Sequence, residues 1–342
     1  DEWIGEHRLF LVCDSSLRFL IGIREHLDQL ELNGNYIMRF NDFQPNPLYE
    51  NVLAGVKQFR RGNCDAIMAI GGGSAIDVAK CIKLYSSMPG DGANGSFLTM
   101  ETVFAEIPFL AMPTTAGTGS EVTQYSILTI HEKNTKKSIS HAVFPTLALD
   151  DPKYLVSLSH EKLIDTAVDT LAHLIESRLS ANCAKSLSFT EEGLKIWGEL
   201  KFKILENTLT DIDRESLIRA CVCGGNAIAQ TSTSLPHGLS YMATYKLGIP
   251  HGRACGMFLG GYLDTYPDRE KAQKTAELLG FEDTKGFREF ISFLLSEKPL
   301  DGDFMRENAQ ALLQNPAKLK NHPYDVDADK LLRMENTYDK TV

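Results

Sequence analysis

The sequence predicts an α/β amino-terminal domain with a parallel sheet, followed by an all-α carboxy-terminal domain. Short apolar segments alternate with helical periodicity as far as residue 112, a pattern typical of parallel strands joined by helices. Strand signals stop after about residue 152, and helical periodicity continues alone. The length of 342 residues also exceeds what one hydrophobic core normally organises. We therefore expect two domains, at residues 1–155 and 156–342.

The individual elements follow from length, apolar content and periodicity. Four largely apolar runs predict strands at residues 8–13, 36–40, 66–70 and 107–112, and helical spacing predicts helices at 17–30 and 48–60. Runs of this kind indicate strands that are covered on both faces of the sheet. In the second domain, helical periodicity covers residues 157–205, 214–231, 269–279 and 284–295.

Composition excludes several classes of partner. The net charge of -10 and the pI near 5.4 argue against a nucleic-acid surface or a polybasic membrane anchor. No apolar run approaches the roughly 20 residues that a membrane helix needs. The acidic first residues do not resemble a secretory signal. We expect a cytoplasmic protein whose substrate is a small molecule.

The seven cysteines are odd in number and include no Cys-x-x-Cys spacing. Most lie in apolar or helical surroundings, where a thiol behaves as a small hydrophobic group. We therefore predict neither disulfides nor a cysteine metal site, which agrees with a reducing cytoplasm.

The third predicted strand runs directly into Gly71-Gly-Gly-Ser-Ala-Ile-Asp-Val-Ala-Lys80. A strand, glycines and then a helix allow the backbone to approach a phosphate that faces the helix N-terminus. Ser74 and Asp77 have the spacing of a capping pattern, so we predict that Ser74 caps the helix. The segment is neither a G-x-G-x-x-G fingerprint nor a P-loop, and a simple tight turn is the alternative.

A second loop follows the fourth predicted strand, with the sequence Pro113-Thr-Thr-Ala-Gly-Thr-Gly-Ser-Glu-Val-Thr123. Its hydroxyls and free amides stand at the carboxyl end of a strand, where open α/β sheets bind ligands. The alternative is a glycine-rich connector in which Ser120 or Thr118 caps the next helix. Two such loops on one sheet favour a dinucleotide over a single phosphate.

Four residues of the second domain suggest a metal centre. Asp169 and His173 are four apart on a predicted helix, so their side chains lie on one face. His237 and His251 each follow a proline and precede a glycine, which predicts a fixed bend. One carboxylate and three imidazoles suit Zn(II) or Fe(II) with an open coordination position. Taken singly, each residue has the alternative of a cap, a surface group or a buried polar residue.

These motifs, in this order and spacing, resemble the iron-containing (group III) alcohol dehydrogenases. The matching segments are Gly71-Gly-Gly-Ser-x-x-Asp77-x-x-Lys80, Pro113 to Glu121, Asp169-x3-His173 and His237-x13-His251-Gly252. The resemblance implies a Rossmann-like domain and a helical domain, the dehydroquinate synthase-like fold. It also implies a homodimer that transfers hydride between NAD(P)H and a small aldehyde or alcohol.

The resemblance assigns roles to particular residues. The implied metal ligands are Asp169, His173, His237 and His251. The implied NAD(P) site is lined by Gly72, Gly73, Ser74, Thr114, Thr115 and Thr118. Lys137 is expected near the nicotinamide ribose, where it is also a candidate for catalysis. Glu176, one turn after His173, is expected to be structural or to support a ligand.

The chain departs from the family pattern at two positions. Where many members have a second histidine near the nicotinamide, this chain has Tyr241, which we expect to stack or to pass a proton itself. Where NAD-preferring members have an aspartate that repels a 2′-phosphate, this chain has Asn41, with Asp42 beside it. We therefore expect NADPH to be accepted as well as NADH.

The segments His237 to Gly252 and Lys137-Ser-Ile-Ser-His141 resemble the phosphonoacetaldehyde reductase branch, which makes 2-hydroxyethylphosphonate. Lys137, His141 and Arg253 are the candidate donors for a phosphonate, with surface charge and support of a neighbouring residue as the alternatives. Sulfoacetaldehyde, a short-chain alcohol or a diol would use the same machinery, and the sequence does not choose between Fe(II) and Zn(II).

Two alternatives come from other classes. The first is an NAD- and metal-dependent lyase or cyclase resembling dehydroquinate synthase, for which the Asp-x3-His helix and the few basic residues fit less well. The second is a metal- and nucleotide-binding regulator without turnover, which has no need for an open metal position. No Ser-His-Asp arrangement is evident in the sequence.

Overall fold

The computed structural model describes residues 1–14, 17, 20–101, 106–130, 135–139, 141–296 and 298–336, without the side chains of 130 and 135–138. The chain divides into two compact units. The sheet unit comprises Asp1–Thr115 and Ser120–Ser157, and the helical unit comprises Ala116–Gly119 and Leu158–Val342.

The sheet unit contains a five-stranded, fully parallel sheet in the order β2-β1-β3-β4-β7. Its strands are β1 (Leu9–Cys13), β2 (Ile37–Phe40), β3 (Ala66–Gly71), β4 (Phe109–Pro113) and β7 (Leu147–Ala148). A separate antiparallel ribbon joins β5 (Ile127–Ile130) and β6 (Thr135–Ser138). The ribbon was not predicted, because its four-residue arms are too short to establish an alternating pattern.

Helices cover both faces of the parallel sheet. They are α1 (Glu2–Gly5), α2 (Ile21–Leu32), α3 (Tyr49–Arg61) and α4 (Gly73–Ser86), with 3-10 turns at Ala93–Leu98, Ser120–Val122 and Pro152–Ser157. Successive residues of β1 enter two different cores: Phe10 and Val12 pack on one face, Leu9 and Leu11 on the other. This arrangement confirms the predicted parallel sheet buried on both sides.

The helical unit contains no strand among its described residues, which confirms the predicted all-α region. Its helices are α5 (His160–Leu179), α6 (Leu187–Glu206), α7 (Asp211–Thr231), α8 (Leu235–Leu247), α9 (His251–Asp264), α10 (Arg269–Leu278), α11 (Thr284–Leu295), α12 (Gly302–Leu313), α13 (Pro316–Leu319) and α14 (Ala328–Leu332). No helix of the described residues is both long enough and apolar enough to cross a bilayer.

Helix α5 is the central helix of this unit. From Leu163 to Leu179 every residue except Thr166 is buried, so other helices pack around its whole circumference. Polar groups on this helix, including Asp169, His173 and Glu176, are therefore removed from bulk water and must find partners inside the protein.

The predicted bends at His237 and His251 are wrong, because both histidines lie in the first turn of a helix. Pro236 is the second residue of α8, and Pro250 directly precedes α9. Proline is tolerated at helix starts because the first backbone N–H groups have no acceptor within the helix. The prolines therefore mark where α8 and α9 begin.

Candidate functional site

Three helices bring the four predicted metal ligands around one oxygen atom, Oδ1 of Asp169. His173, one turn along α5, has its Nε2 3.8 Å from that oxygen. The Nε2 atoms of His237 and His251 are 3.5 Å and 3.8 Å from it. The rings of His173 and His237 are stacked at 4.8 Å, and those of His237 and His251 lie 5.2 Å apart.

The glycine after His251 explains how α9 comes this close to α5. A Cβ atom on Gly252 would lie 1.8 Å from the backbone oxygen of Asp165 and 3.0 Å from the Cβ of Asp169. No side chain fits in this space, so the two helices meet through their backbones. The glycine next to His251 therefore has a packing role.

The buried polar atoms of the cluster fit a divalent cation. Oδ1 of Asp169 and Nε2 of His237, 3.5 Å apart, are both buried and lack a hydrogen bond of ordinary geometry. An unsatisfied buried polar atom costs about 1–3 kcal/mol, and one cation that binds both atoms removes that cost. A carboxylate with imidazoles is a donor set that Fe(II) and Zn(II) accept.

The sequence reasoning missed one donor, the thiol of Cys255. Cys255 is fully buried on α9, four residues after His251, and its Sγ lies 3.9 Å from the Nε2 of that histidine. Asp169, His237, His251 and Cys255 each present a ligand atom, and all four atoms lie within 4.8 Å of one another. The prediction that no cysteine belongs to a metal site therefore needs correction: a thiol stands within the donor cluster.

The protonation of the cluster reflects burial and close charges. Burial alone would raise the pKa of Asp169, but the imidazoles around it hold that pKa well below its ordinary value. Burial lowers the pKa of His173 to about 4. Burial also acts to lower the pKa of His237, but Cys255, Glu176 and Asp169 raise it well above its ordinary value. The cluster thus keeps an ionised carboxylate beside a neutral His173.

Glu176 links the two helices that carry these ligands. Its carboxylate is fully buried, and its Oε1 accepts hydrogen bonds from the Nδ1 of His237 at 2.5 Å and from the His237 backbone N–H at 3.2 Å. Its Oε2 accepts from the backbone N–H of Ser234. Because Nδ1 of His237 donates to Glu176, Nε2 is the ring nitrogen that faces Asp169 and that a bound cation would use.

An aromatic ring and a lysine lie beside the ligand cluster. The Tyr241 ring, one turn after His237 on α8, stacks on His251 at 6.1 Å with an interplanar angle of 18°. The Nζ of Lys318 is 5.1 Å from the centre of the Tyr241 ring. Its charge also contributes, after burial and closer neighbours, to the low pKa of His173. Lys318 belongs to no motif of the sequence, so only the fold reveals its position beside the cluster.

In the sheet unit, β3 ends in the glycine turn that begins α4. Gly71 has a φ of 156°, and a Cβ there would lie 2.6 Å from Oδ2 of Asp14. The predicted cap by Ser74 is wrong: the N-cap is Gly72, whose N–H donates to Asp14 Oδ2 at 3.0 Å. No side chain caps the first turn of α4, so this helix start fits an anionic group such as a dinucleotide phosphate.

The threonine loop starts beside this turn. Thr114 donates its backbone N–H to the oxygen of Gly71 at 2.9 Å, and the Thr115 side chain lies next to Gly72. Thr118 belongs to Ala116–Gly119, the segment that packs within the helical unit. There the Thr170 hydroxyl, on α5, donates to the oxygens of Ala116 and Gly117 at 3.2 Å and 3.3 Å.

The Asp and Lys of the glycine motif hold the far end of the threonine loop. Lys80 is fully buried, and its Nζ donates to Ser120 Oγ at 3.0 Å, Thr123 O at 2.8 Å and Tyr125 O at 2.7 Å. Asp77 accepts from the Ser120 hydroxyl at 2.6 Å. Burial lowers the pKa of Lys80 to about 8. Sequence reasoning used these two residues only as a motif, whereas the fold gives them a shared structural role.

The other predicted site residues have different surroundings. Asn41 is exposed directly after β2, and His141 is half-buried in the sheet unit. Lys137 lies in β6, but its side chain is outside the described part of the chain. Arg253, predicted as a phosphonate ligand, donates its Nε to Asp165 at 2.8 Å and its Nη1 to the oxygen of Leu295 at 2.9 Å. These bonds tie α9 to its neighbours within the helical unit.

Comparison with known proteins decides the family. The model for iron-containing alcohol dehydrogenases matches residues 2–152, and the model for the C-terminal region of the same family matches residues 163–295. The chain belongs to the iron-containing alcohol dehydrogenase family. The two matches cover most of the chain, including the glycine turn and all four predicted ligands, and they confirm the family resemblance of the motifs.

Curated members of the family are moderately similar to this chain. A 1-propanol dehydrogenase of Citrobacter freundii is 28% identical over 256 residues, which cover 73% of this chain and 65% of that protein. An NAD-dependent methanol dehydrogenase of Bacillus methanolicus is 29% identical over 252 residues, which cover 73% of this chain and 66% of that protein. The chain thus spans just under two thirds of the length of each of these relatives.

A solved family structure has the same fold. The sulfoacetaldehyde reductase of Bifidobacterium kashiwanohense, crystallised with NAD+, is 26% identical and superimposes with a TM-score of 0.83. The similarity covers 97% of this chain and 91% of that one. It confirms the predicted α/β and all-α fold class of this member of the family.

Proposed function

We propose that the chain catalyses reversible hydride transfer between a nicotinamide dinucleotide and a small aldehyde or primary alcohol. The observation that carries the proposal is the convergence of three imidazoles on the buried Asp169 carboxylate. Family membership supports the same reaction class. The proposal is made for these 342 residues, and the curated relatives compared above are longer.

Asp169, His173, His237 and His251 are the residues that would hold a divalent cation, Fe(II) or Zn(II). When bound, such a cation supplies a Lewis acid that withdraws charge from a carbonyl or alcohol oxygen. The protein residues prepare for this chemistry, because burial excludes water and Glu176 fixes the orientation of His237. Tyr241, which stacks on His251, is the side chain we propose for contact with the substrate or the nicotinamide.

The dinucleotide is proposed to bind at the glycine turn, with Gly72, Gly73 and Ser74 at the phosphates and Thr114, Thr115 and Thr118 beside them. The uncapped start of α4 supports this placement. Lys137 is proposed near the nicotinamide ribose. An NAD-dependent relative and a similar structure in complex with NAD+ support NADH, and the neutral Asn41 supports acceptance of NADPH.

The preferred substrate is proposed to be phosphonoacetaldehyde, reduced to 2-hydroxyethylphosphonate. The motif around Tyr241 and the Lys137-Ser-Ile-Ser-His141 segment support it by resemblance. A second candidate is sulfoacetaldehyde, favoured by the similarity to a sulfoacetaldehyde reductase. Both molecules combine an aldehyde with a tetrahedral oxyanion on the adjacent carbon, so they need the same two recognition elements.

The test measures loss of reduced-nicotinamide absorbance with NADH and NADPH in Fe(II)- or Zn(II)-loaded protein. Phosphonoacetaldehyde, sulfoacetaldehyde and propanal are compared at equal concentration, with Asp169→Asn as the control that removes the only carboxylate ligand. A kcat/KM advantage of about a hundredfold for one anionic aldehyde over propanal supports specific recognition. No oxidation with any aldehyde would overturn the proposal in favour of a lyase or a regulator.

A further inference from the structure

The ammonium group of Lys318 is held at the edge of the ligand cluster. Lys318 lies on α13, and its Nζ stands 5.1 Å from the centre of the Tyr241 ring. Tyr241 in turn stacks on His251. The same Nζ donates a hydrogen bond to the hydroxyl of Thr233, two residues before α8 begins. One aromatic side chain therefore contacts both the lysine and a proposed metal ligand.

Among the described residues Lys318 has no acidic partner, in contrast to two lysines elsewhere in the helical unit. Lys203 pairs with Asp213, and Lys246 pairs with Glu307. Within the part of the chain that the structure describes, no carboxylate lies within 4.0 Å of the Lys318 ammonium. The Thr233 hydroxyl and the Tyr241 ring contact the ammonium but carry no negative charge, so its positive charge is not neutralised. Lys318 is also only half-buried, so an arriving anion can reach it.

The carboxylates nearest to the cluster are already engaged. Oδ1 of Asp169 faces three imidazole nitrogens, and both oxygens of Glu176 accept hydrogen bonds at the start of α8. Neither is placed to neutralise Lys318. With a divalent cation bound, these two carboxylates balance the charge of the cation, and the ammonium adds a net positive charge. The site is therefore electrostatically suited to an anionic substrate.

We infer that Lys318 is the specificity-determining residue that binds the oxyanion of an aldehyde substrate carrying a phosphonate or sulfonate group. The inference rests on the proposed function and names its substrate class. Arg253, the residue predicted for this role, has its Nε bound to Asp165 and its Nη1 bound to Leu295. Lys318 also lies beyond residue 295, where the match to the C-terminal family model ends.

The size of the effect follows from the bond that is lost. A lysine contributes a charge-assisted hydrogen bond to a phosphonate or sulfonate oxygen. A hydrogen bond to a charged group corresponds to a change of about 10- to 100-fold in binding. The variant Lys318→Met keeps most of the chain length and removes the charge. It should therefore lower the kcat/KM ratio of anionic aldehyde to propanal by about 10- to 100-fold.

The experiment compares wild type, Lys318→Met, Lys318→Arg and the matched control Lys320→Met on all three aldehydes. Lys320 is exposed at the end of the same short helix, so its variant should behave as wild type. Lys318→Arg restores the positive charge and should recover most of the ratio. Phosphonoacetaldehyde and sulfoacetaldehyde form separate arms, and the arm with the larger drop identifies the natural oxyanion.

A second measurement does not depend on turnover. Ethylphosphonate and ethanesulfonate are titrated calorimetrically into Zn(II)-loaded protein with NAD+ present. Weaker binding to Lys318→Met, with recovery in Lys318→Arg, supports the inference. An unchanged ratio of rates, or binding that is equal in wild type and Lys318→Met, overturns it.

The same measurements distinguish a wrong role for Lys318 from a wrong proposed function. If wild type reduces propanal but Lys318→Met changes all aldehydes equally, the role of Lys318 is wrong and the alcohol dehydrogenase activity stands. If wild type fails to oxidise NAD(P)H with any of the three aldehydes, the proposed function itself is wrong. In that case binding of the two anions no longer supports a substrate role.

Discussion

The Oε1 of Glu176 lies 2.5 Å from the Nδ1 of His237, which joins α5 to α8 at the candidate metal centre. The same carboxylate accepts the backbone N–H groups of Ser234 and His237, so it also takes the place of a missing side-chain cap on α8. A single buried side chain thus fixes both the position of a helix and the direction of a ligand lone pair.

Replacing Glu176 with Gln should lower metal affinity by about 10- to 100-fold, the usual cost of losing a partner of a ligating histidine. The amide keeps the shape but can no longer accept with both oxygens. Zn(II) affinity is measured by chelator competition, and the His237 tautomer by NMR of 15N-histidine protein. Glu199→Gln, at an exposed position of α6, is the control. Wild-type affinity with an unchanged tautomer would show that Glu176 only packs.

Cys255→Ser should change metal preference. Thiolate is a soft ligand that favours Zn(II) over harder ions, so the ratio of Zn(II) to Mn(II) affinity should fall about tenfold without it. Anaerobic competition titrations give both constants. Cys223→Ser replaces another buried thiol of the helical unit and controls for packing. An equal loss for both metals would assign Cys255 to packing alone.

Lys80→Met should lower the free energy of unfolding by about 3 kcal/mol, because the carbonyls of Thr123 and Tyr125 and the Asp77 carboxylate lose a buried donor or counter-charge. Urea denaturation measures the change. Lys83→Met, on the same helix, removes only an exposed bond of 3.5 Å to Phe144 and should cost less than about 0.5 kcal/mol. Similar midpoints for the two variants contradict the structural role of Lys80.

Asn41→Asp should shift the cofactor preference towards NADH. A carboxylate directly after β2 accepts a ribose hydroxyl and repels a 2′-phosphate, so the kcat/KM ratio of NADH to NADPH should rise about tenfold. Asp42→Asn, at the neighbouring exposed position, tests whether the Asp42 carboxylate already binds the ribose and repels the 2′-phosphate. If Asn41→Asp leaves the ratio of NADH to NADPH unchanged, the ribose does not bind at this position.

His322 should make stability depend on pH between about 6.5 and 4. Burial, reinforced by Lys330, lowers its pKa from the ordinary 6.5 to about 4. Below pH 6.5 the unfolded chain takes up a proton that the folded chain does not, so stability falls as the pH decreases. A shift of this size corresponds to about 3 kcal/mol. Urea denaturation of wild type and His322→Asn across this range should give a shallower slope for the variant; parallel slopes assign the dependence to other groups.

The sequence predicted long, periodic elements well. The helix predicted at residues 284–295 coincides with α11, and the strand at 66–70 differs from β3 by one residue. Helical periodicity identifies the single buried face of α11, and an unbroken apolar run identifies β3, which is covered on both faces. The convergence of the ligands was inferred from residue types and spacing, and the geometry around Asp169 agrees with it.

Other features depend on contacts that no local pattern contains. Ser74 has the spacing of a cap, but α4 begins after Gly72 with no side-chain cap, and Asp14, far earlier in the chain, accepts only the N–H of Gly72 itself. Cys255 joins the donors only because α9 begins at His251 and places both residues on one face. Lys318 reaches the cluster only through the packing of α13 near α8. Each depends on tertiary structure, which spacing along the chain does not specify.

The absence of a side chain at Gly252 sets a size limit on the centre. Because α5 and α9 touch backbone to backbone at this residue, they cannot move closer, and any residue larger than glycine would push them apart. The span between Asp169 and His251 is thus fixed by van der Waals contact rather than by an adjustable side chain. Ions of different radius must be accommodated by rotation of the imidazoles, which makes discrimination by ionic size a property of the helix packing itself.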